Sequence, residues 1–197
     1  MHNVMLVFVV LFIISIIIEL ALNYYKEKVQ NDLVLLIANR EHDKFDKRIK
    51  EKKMCFLIPI ANYHMLKMNN AIVQNKLNEV IFEVHELEKL KLNDEQNTFV
   101  YCKAFAYFLS VKDNKNVEKY YSVVKNLPDS ASKKYAEMVY DTLVKNNYSY
   151  IKDAEKILDN AEGEDKFNIL TLLFQMYTNK NDEKMTKKYL EMIEAEK

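Results

Sequence analysis

Asp113 to Leu127 reads DNKNVEKYYSVVKNL. Val117, Tyr121 and Val124 stand at i, i+4 and i+7, the apolar stripe of a helix that packs on one side. The same three columns recur at Val80, Val84 and Leu87, at Ile151, Glu155 and Leu158, and at Met185, Tyr189 and Met192. Successive copies lie 37, 34 and 34 residues apart. A fixed period of this length in a helical sequence marks an array of helix pairs, one pair per repeat.

Composition points the same way. One glycine and two prolines serve all 197 residues. Strand-rich folds need turn residues in bulk, and phosphate-cradling loops need glycines where backbone meets ligand. An all-α chain with short connections is what remains. Asparagine then takes glycine's place at the turns, because it tolerates the left-handed conformation that closes a helix. The expected turns contain Asn75, Asn93, Asn114, Asn146–Asn147 and Asn179. Lys+Arg and Asp+Glu number 29 each, and this balance argues against a nucleic-acid partner, which needs a basic face. Cys55 and Cys102 sit in apolar runs and are expected as buried, reduced thiols rather than a disulfide scaffold.

Residues 4–22 are apolar apart from Ser15 and Glu19. At 1.5 Å per residue, a helix of this length spans the ~30 Å hydrocarbon core. Glu19 falls near the end of the stretch, and Tyr24 and Tyr25 follow at interfacial depth. The segment is therefore expected to be a transmembrane helix. A cleaved signal peptide fits less well: the leading Met-His-Asn has no Lys or Arg, and cleavage after Ala21 would put Glu19 at −3. Lys26, Lys28 and Arg40 flank the C-terminal side, which places the following domain in the cytoplasm by the positive-inside rule.

Residues 23–53 form a charged juxtamembrane helical linker in this reading. Leu33, Leu36 and Ile37 supply a short apolar stripe, and Phe45 and Ile49 stand at i, i+4. The cluster Lys47, Arg48, Lys50, Lys52 and Lys53 reads as a solvated helix face, diluted by Asp46 and Glu51. Contact with anionic lipid is its functional alternative.

From residue 54 to 197 the chain divides into four pairs: 59–74 with 77–90, 95–111 with 113–127, 130–145 with 150–161, and a last pair containing FNILTLLFQMY and the segment from Asp182. Pro59 suits a first turn and Pro128 a stop, and Gly163 is expected to close the third pair. Over roughly 56–195 the chain resembles the tetratricopeptide-repeat family. The best-matching segment is AYFLSVKDNKNVEKYYSVVKNLP, Ala106 to Pro128, with an aromatic end to its first helix, a polar turn, paired tyrosines and the terminal proline. It departs from the family at the turn glycine, replaced by Asn75, Lys112, Asn147 and Lys180, and at the small residue of the second helix, replaced by Val80, Val117, Ile151 and Met185. The resemblance implies an α-solenoid whose groove, lined mainly by the first helix of each pair, binds a protein or peptide. The residues it places there are Tyr63, Lys67 and Asn70, with Tyr101 and Lys103 from the second pair. Ordinary solvated helix surface is the alternative for each.

No enzyme is expected. His2, His42, His64 and His85 fall in no metal-ligand spacing, no nucleophile has a neighbouring base, and neither cofactor nor metal is implied. Two functions stay open: a membrane-anchored scaffold or adaptor at the cytoplasmic face, and a structural or assembly subunit whose anchor, through Ser15 and Glu19, makes the main contact. Two arginines against abundant Lys, Asn, Ile and Tyr suggest an AT-rich, bacterial genome.

Overall fold

A computed structural model describes residues 2–196, with side chains from Ile13 to Glu196. Among the described residues the chain is all-α: eleven helices and no strand. It divides into two units, Met1–Leu92 and Asn93–Lys197.

The first unit holds α1 (His2–Ala38), α2 (His42–Ile49), α3 (Met54–Leu57), α4 (Ile60–Val73) and α5 (Leu77–Glu88). The expected transmembrane span, 4–22, falls within α1. The side chains of its residues 4–12 lie outside those described, and among the described residues no helix is long and apolar enough to cross a membrane. From Ile13 to Tyr25 every side chain of α1 is exposed, Leu20 at 64%. Burial begins at Val29, and Val29, Leu33 and Ile37 form an i, i+4, i+8 stripe packed against Phe45, Ile49, Met54, Ile58 and Leu66.

The charged segment 23–53 is therefore drawn into this unit rather than bridging to it. The reason is a sharp reversal after α1. Arg40 adopts the left-handed conformation (φ 57), its N–H bonds Ile37 O, and the Glu41 N–H bonds Leu36 O at 2.8 Å, the Schellman closure. The chain then runs back along α1. Arg48 pairs with Asp32 at 2.8 Å, and Phe45 and Ile49, four residues apart, face inward together.

The second unit holds α6 (Asp94–Ser110), α7 (Asn114–Val124), α8 (Ala131–Leu143), α9 (Ile151–Leu158), α10 (Gly163–Asn179) and α11 (Glu183–Ala195). Here α6 packs on α7 and α8, α8 on α10, and α10 on α9 and α11. The apolar α6 is thus covered from two sides, with Val100, Ala104, Phe105 and Phe108 buried. Phe108 stacks on Tyr120 with ring centres 5.2 Å apart, and Tyr121 stacks on Tyr140. Asn93 caps α6 with a full capping box to Gln96, and Asp113 and Asp182 cap α7 and α11.

The periodic columns are the packed faces. Val80, Val84 and Leu87 are buried, as are Val117, Tyr121 and Val124. In the third copy Ile151, Glu155 and Leu158 are half-buried around a buried Ala154, and in the fourth Tyr189 is buried. The turn expected at Asn75 and Asn146 adopts positive φ as anticipated. Elsewhere the left-handed residue is Lys112 rather than Asn114, and Asn181 rather than Asn179. At Asn75, Lys112 and Asn181 the same closure as in α1 recurs, the next residue's N–H reaching Ala71 O, Phe108 O and Tyr177 O. A Cβ at this position strains the backbone, so Lys112→Gly is expected to stabilise the fold by about 0.5–1 kcal/mol, read as a higher midpoint in chemical unfolding.

Two expectations need correction. Gly163 (φ 55) opens α10 instead of closing α9, whose last residue is Leu158. Neither cysteine is buried: Cys55 is exposed and Cys102 half-buried, both free. In the short α3, Met54 and then Ile58 turn into the core, which sends Cys55 and Phe56 outward. Partial burial pushes the Cys102 thiol up to about 11.

Candidate functional site

Helix α4 carries three of the five residues expected to face a partner. Its start at Ile60 follows Pro59, whose fixed φ (−54) suits the entry to a helix. Tyr63 and Lys67 stand four residues apart on one face, with the Lys67 ammonium 5.5 Å from the centre of the Tyr63 ring. On α5, Phe82 contributes a second ring 5.7 Å from the same ammonium, and that ring is 54% exposed.

Behind this surface lies a carboxylate. Glu83 is buried, pairs with Lys67, and accepts a hydrogen bond from His64 Nδ1 at 2.7 Å. The imidazole of His64 stands edge-on to Tyr63, ring centres 5.3 Å apart. A buried carboxylate needs a partner charge and hydrogen bonds, and Lys67 and His64 supply both. Lys67 is consequently committed to Glu83. What the cluster leaves open to solvent is the ring of Phe82, with Tyr63 and the Lys67 side chain half-buried beside it.

Asn70, the third α4 residue, is buried instead. Its Oδ1 accepts from His42 Nδ1 at 2.7 Å and its Nδ2 donates to Asp46 Oδ1 at 3.2 Å, so it ties α4 to α2. Tyr101 and Lys103 belong to the second unit. Two residues apart on α6, they share no face. Tyr101 stacks on Tyr120 with centres 6.3 Å apart, and Lys103 lies over Phe99 at 5.3 Å. Desolvation lowers the pKa of Lys103, opposed by Glu164.

Sequence reading does not single out Phe82, and it sets Glu83 with Glu86 and Glu88 on a helix face beside lysines, whereas the structure buries Glu83. The signal for Glu83 was present: with Val80, Val84 and Leu87 it stands at i, i+3, i+4 and i+7, on the buried stripe itself. An acid there demands a cation from the facing helix. The exposure of Phe82 had no such signal. The two helical histidines do not form a pair of their own, since His64 engages Glu83 and His85 Nδ1 lies 3.5 Å from Glu88. Among the described residues no group of three or more His, Cys, Asp or Glu is placed to hold a metal ion.

Compared with known proteins, the chain matches no family model, no curated protein and no solved structure.

Proposed function

We propose that this chain is a membrane-anchored helical-repeat protein that captures a protein or peptide, as a scaffold or adaptor at the cytoplasmic face of the cell membrane. The observation that carries the reading is the α4–α5 surface, where Tyr63 and the exposed Phe82 flank a lysine already neutralised from behind by Glu83. Such a surface offers aromatic area and a held cation without a large desolvation cost, the character of an interaction hot spot. The anchor is the apolar stretch 4–22, and the uncovered side chains from Ile13 to Tyr25 support it. The repeat period supports a tetratricopeptide-like array of helix pairs.

The test is capture with a C-terminal tag after mild detergent extraction, using variants. Tyr63→Ala and Phe82→Ala are expected to weaken partner recovery at least about tenfold, as truncation of an aromatic anchor does. Exchange of residues 1–25 for an unrelated anchor should leave recovery unchanged. Loss on anchor exchange, with the aromatic variants silent, would make the chain a subunit held through its membrane helix. Charge reversal at Lys67 is a poor probe, because it sets two carboxylates together inside the unit.

A further inference from the structure

The reversal after α1 brings a second feature back toward the membrane end of the first unit. Because α2 runs back along α1, Arg48 comes level with Asp32 and the segment after Ile49 lies on the side of the unit nearer the N-terminal part of α1. Two contacts locate it: Arg48 pairs with Asp32, and Asn62 Nδ2 donates to Gln30 Oε1 at 2.7 Å. Val29, the first buried residue among the described side chains of α1, is four residues past Tyr25, about 6 Å along the helix axis.

This corner combines the most exposed aromatic ring of the unit's described residues with a run of lysines. Phe56 is 81% exposed and Ile60 59%, and Lys50, Glu51, Lys52 and Lys53 are all exposed. Phe56, Ile60, Lys50 and Lys52 border one open cleft of about 560 Å³. Arg48 is engaged by Asp32, and Glu51 is the only carboxylate in residues 47–53 beside five cations. A large aromatic held out in water, ringed by lysines and set beside an anchor, is chemistry that suits the boundary of an anionic bilayer: rings sit at headgroup depth and cations meet the lipid charge.

We infer that the corner formed by Phe56, Ile60, Lys50, Lys52 and Lys53 rests on the bilayer that α1 enters, with the lysines taking anionic lipid headgroups. The inference rests on the anchor proposed above. It makes the first unit a seat against the membrane, fixing how α4 and α5 stand relative to its surface: α4 points away, since Asn62 meets Gln30 while Asn70, further along, meets the start of α2.

The chain has no tryptophan, so Phe56→Trp in the full-length protein gives a single reporter at an exposed site. It is reconstituted into vesicles of phosphatidylcholine alone or mixed with phosphatidylglycerol, each with lipids brominated on the acyl chain. The expected result is a blue-shifted emission quenched by the bromolipid, more strongly with phosphatidylglycerol. Lys50, Lys52 and Lys53→Gln together should abolish that increment. Val73→Trp, at the far end of α4 about 20 Å from Ile60, is the control and should stay unquenched by lipid. Flotation after alkaline carbonate extraction reads the anchor independently. Emission from the Phe56→Trp protein that stays red-shifted and unquenched by bromolipid, in protein that floats with the vesicles, would overturn the inference and leave the anchor standing. Protein that fails to float would overturn both.

Discussion

Replacing Glu155 by alanine is expected to lower the stability of the protein by about 3 kcal/mol, because two buried hydroxyls lose a charged acceptor. Glu155 occupies the column held by Val or Tyr in other repeats, where an apolar residue would be the simpler choice. Its Oε1 accepts from Tyr177 at 2.9 Å and from Tyr189 at 3.1 Å, and both rings are buried and stacked on each other. Glu118 of α7, which stands outside that column, likewise accepts from Tyr140 of α8 at 2.8 and 2.9 Å, with the same 22-residue separation as Glu155 and Tyr177. Glu155 is thus part of the packed interface and not a defect in it. Chemical unfolding followed by far-ultraviolet circular dichroism checks the size of the loss. Glu155→Gln, which keeps an acceptor, should cost less. Combining Glu155→Ala with Tyr177→Phe and Tyr189→Phe should recover much of the deficit, because removing both sides of a buried hydrogen bond is cheaper than removing one. A triple variant as unstable as the single one would mean that Glu155 acts by packing alone.

Raising the pH from 10 to 12 should unfold the second unit cooperatively. Burial, first of all, pushes Tyr121, Tyr140 and Tyr177 up to about 12, with Glu118 adding to the shift at Tyr140 and Glu155 at Tyr177. Tyr189 is raised as well, by burial and by Glu155. These are folded pKa values above that of an unfolded tyrosine, near 10. Below pH 10 both states keep the proton and stability is intact. Above it the unfolded chain releases protons that the folded chain holds, so stability falls until the pH passes the folded values. Each such group takes about 1.4 kcal/mol per pH unit, and three together take about 4, enough over two units to exhaust the stability of an ordinary domain. Tyrosinate absorbance and the loss of helical signal should therefore rise together. A smooth tyrosinate titration with helix content preserved through pH 12 would show that these phenols are not held as the packing indicates.

Much of this molecule was legible from local pattern. The helices α4 to α11 lie within a few residues of the boundaries read from apolar periodicity and caps, since both signals act over one or two turns of chain. Asn75 and Asn146 take the left-handed turns for the same local reason. Lys112 and Arg40 do so without any propensity for it, because the helix before and the hairpin after dictate the position of the turn. Of the expected groove residues, Tyr63 and Lys67 meet as their spacing implies, whereas Asn70 is claimed by His42 and Asp46 of α2, whose charge pattern reads as a solvated linker.

By itself, then, the sequence determined the helical class, the repeat period, the packed face of each helix and an apolar stretch suited to a membrane. Those follow from residue spacing within single elements. Only the tertiary structure decided the partners of the polar side chains. Glu83 takes Lys67 and His64, Glu155 takes two tyrosines, and the return of α2 along α1 buries Phe45 and Ile49 while leaving Phe56 and three lysines outside. A buried charge is satisfied by whichever helix happens to face it, and that choice is made by the packing of elements distant in the chain, on which spacing within one helix is silent.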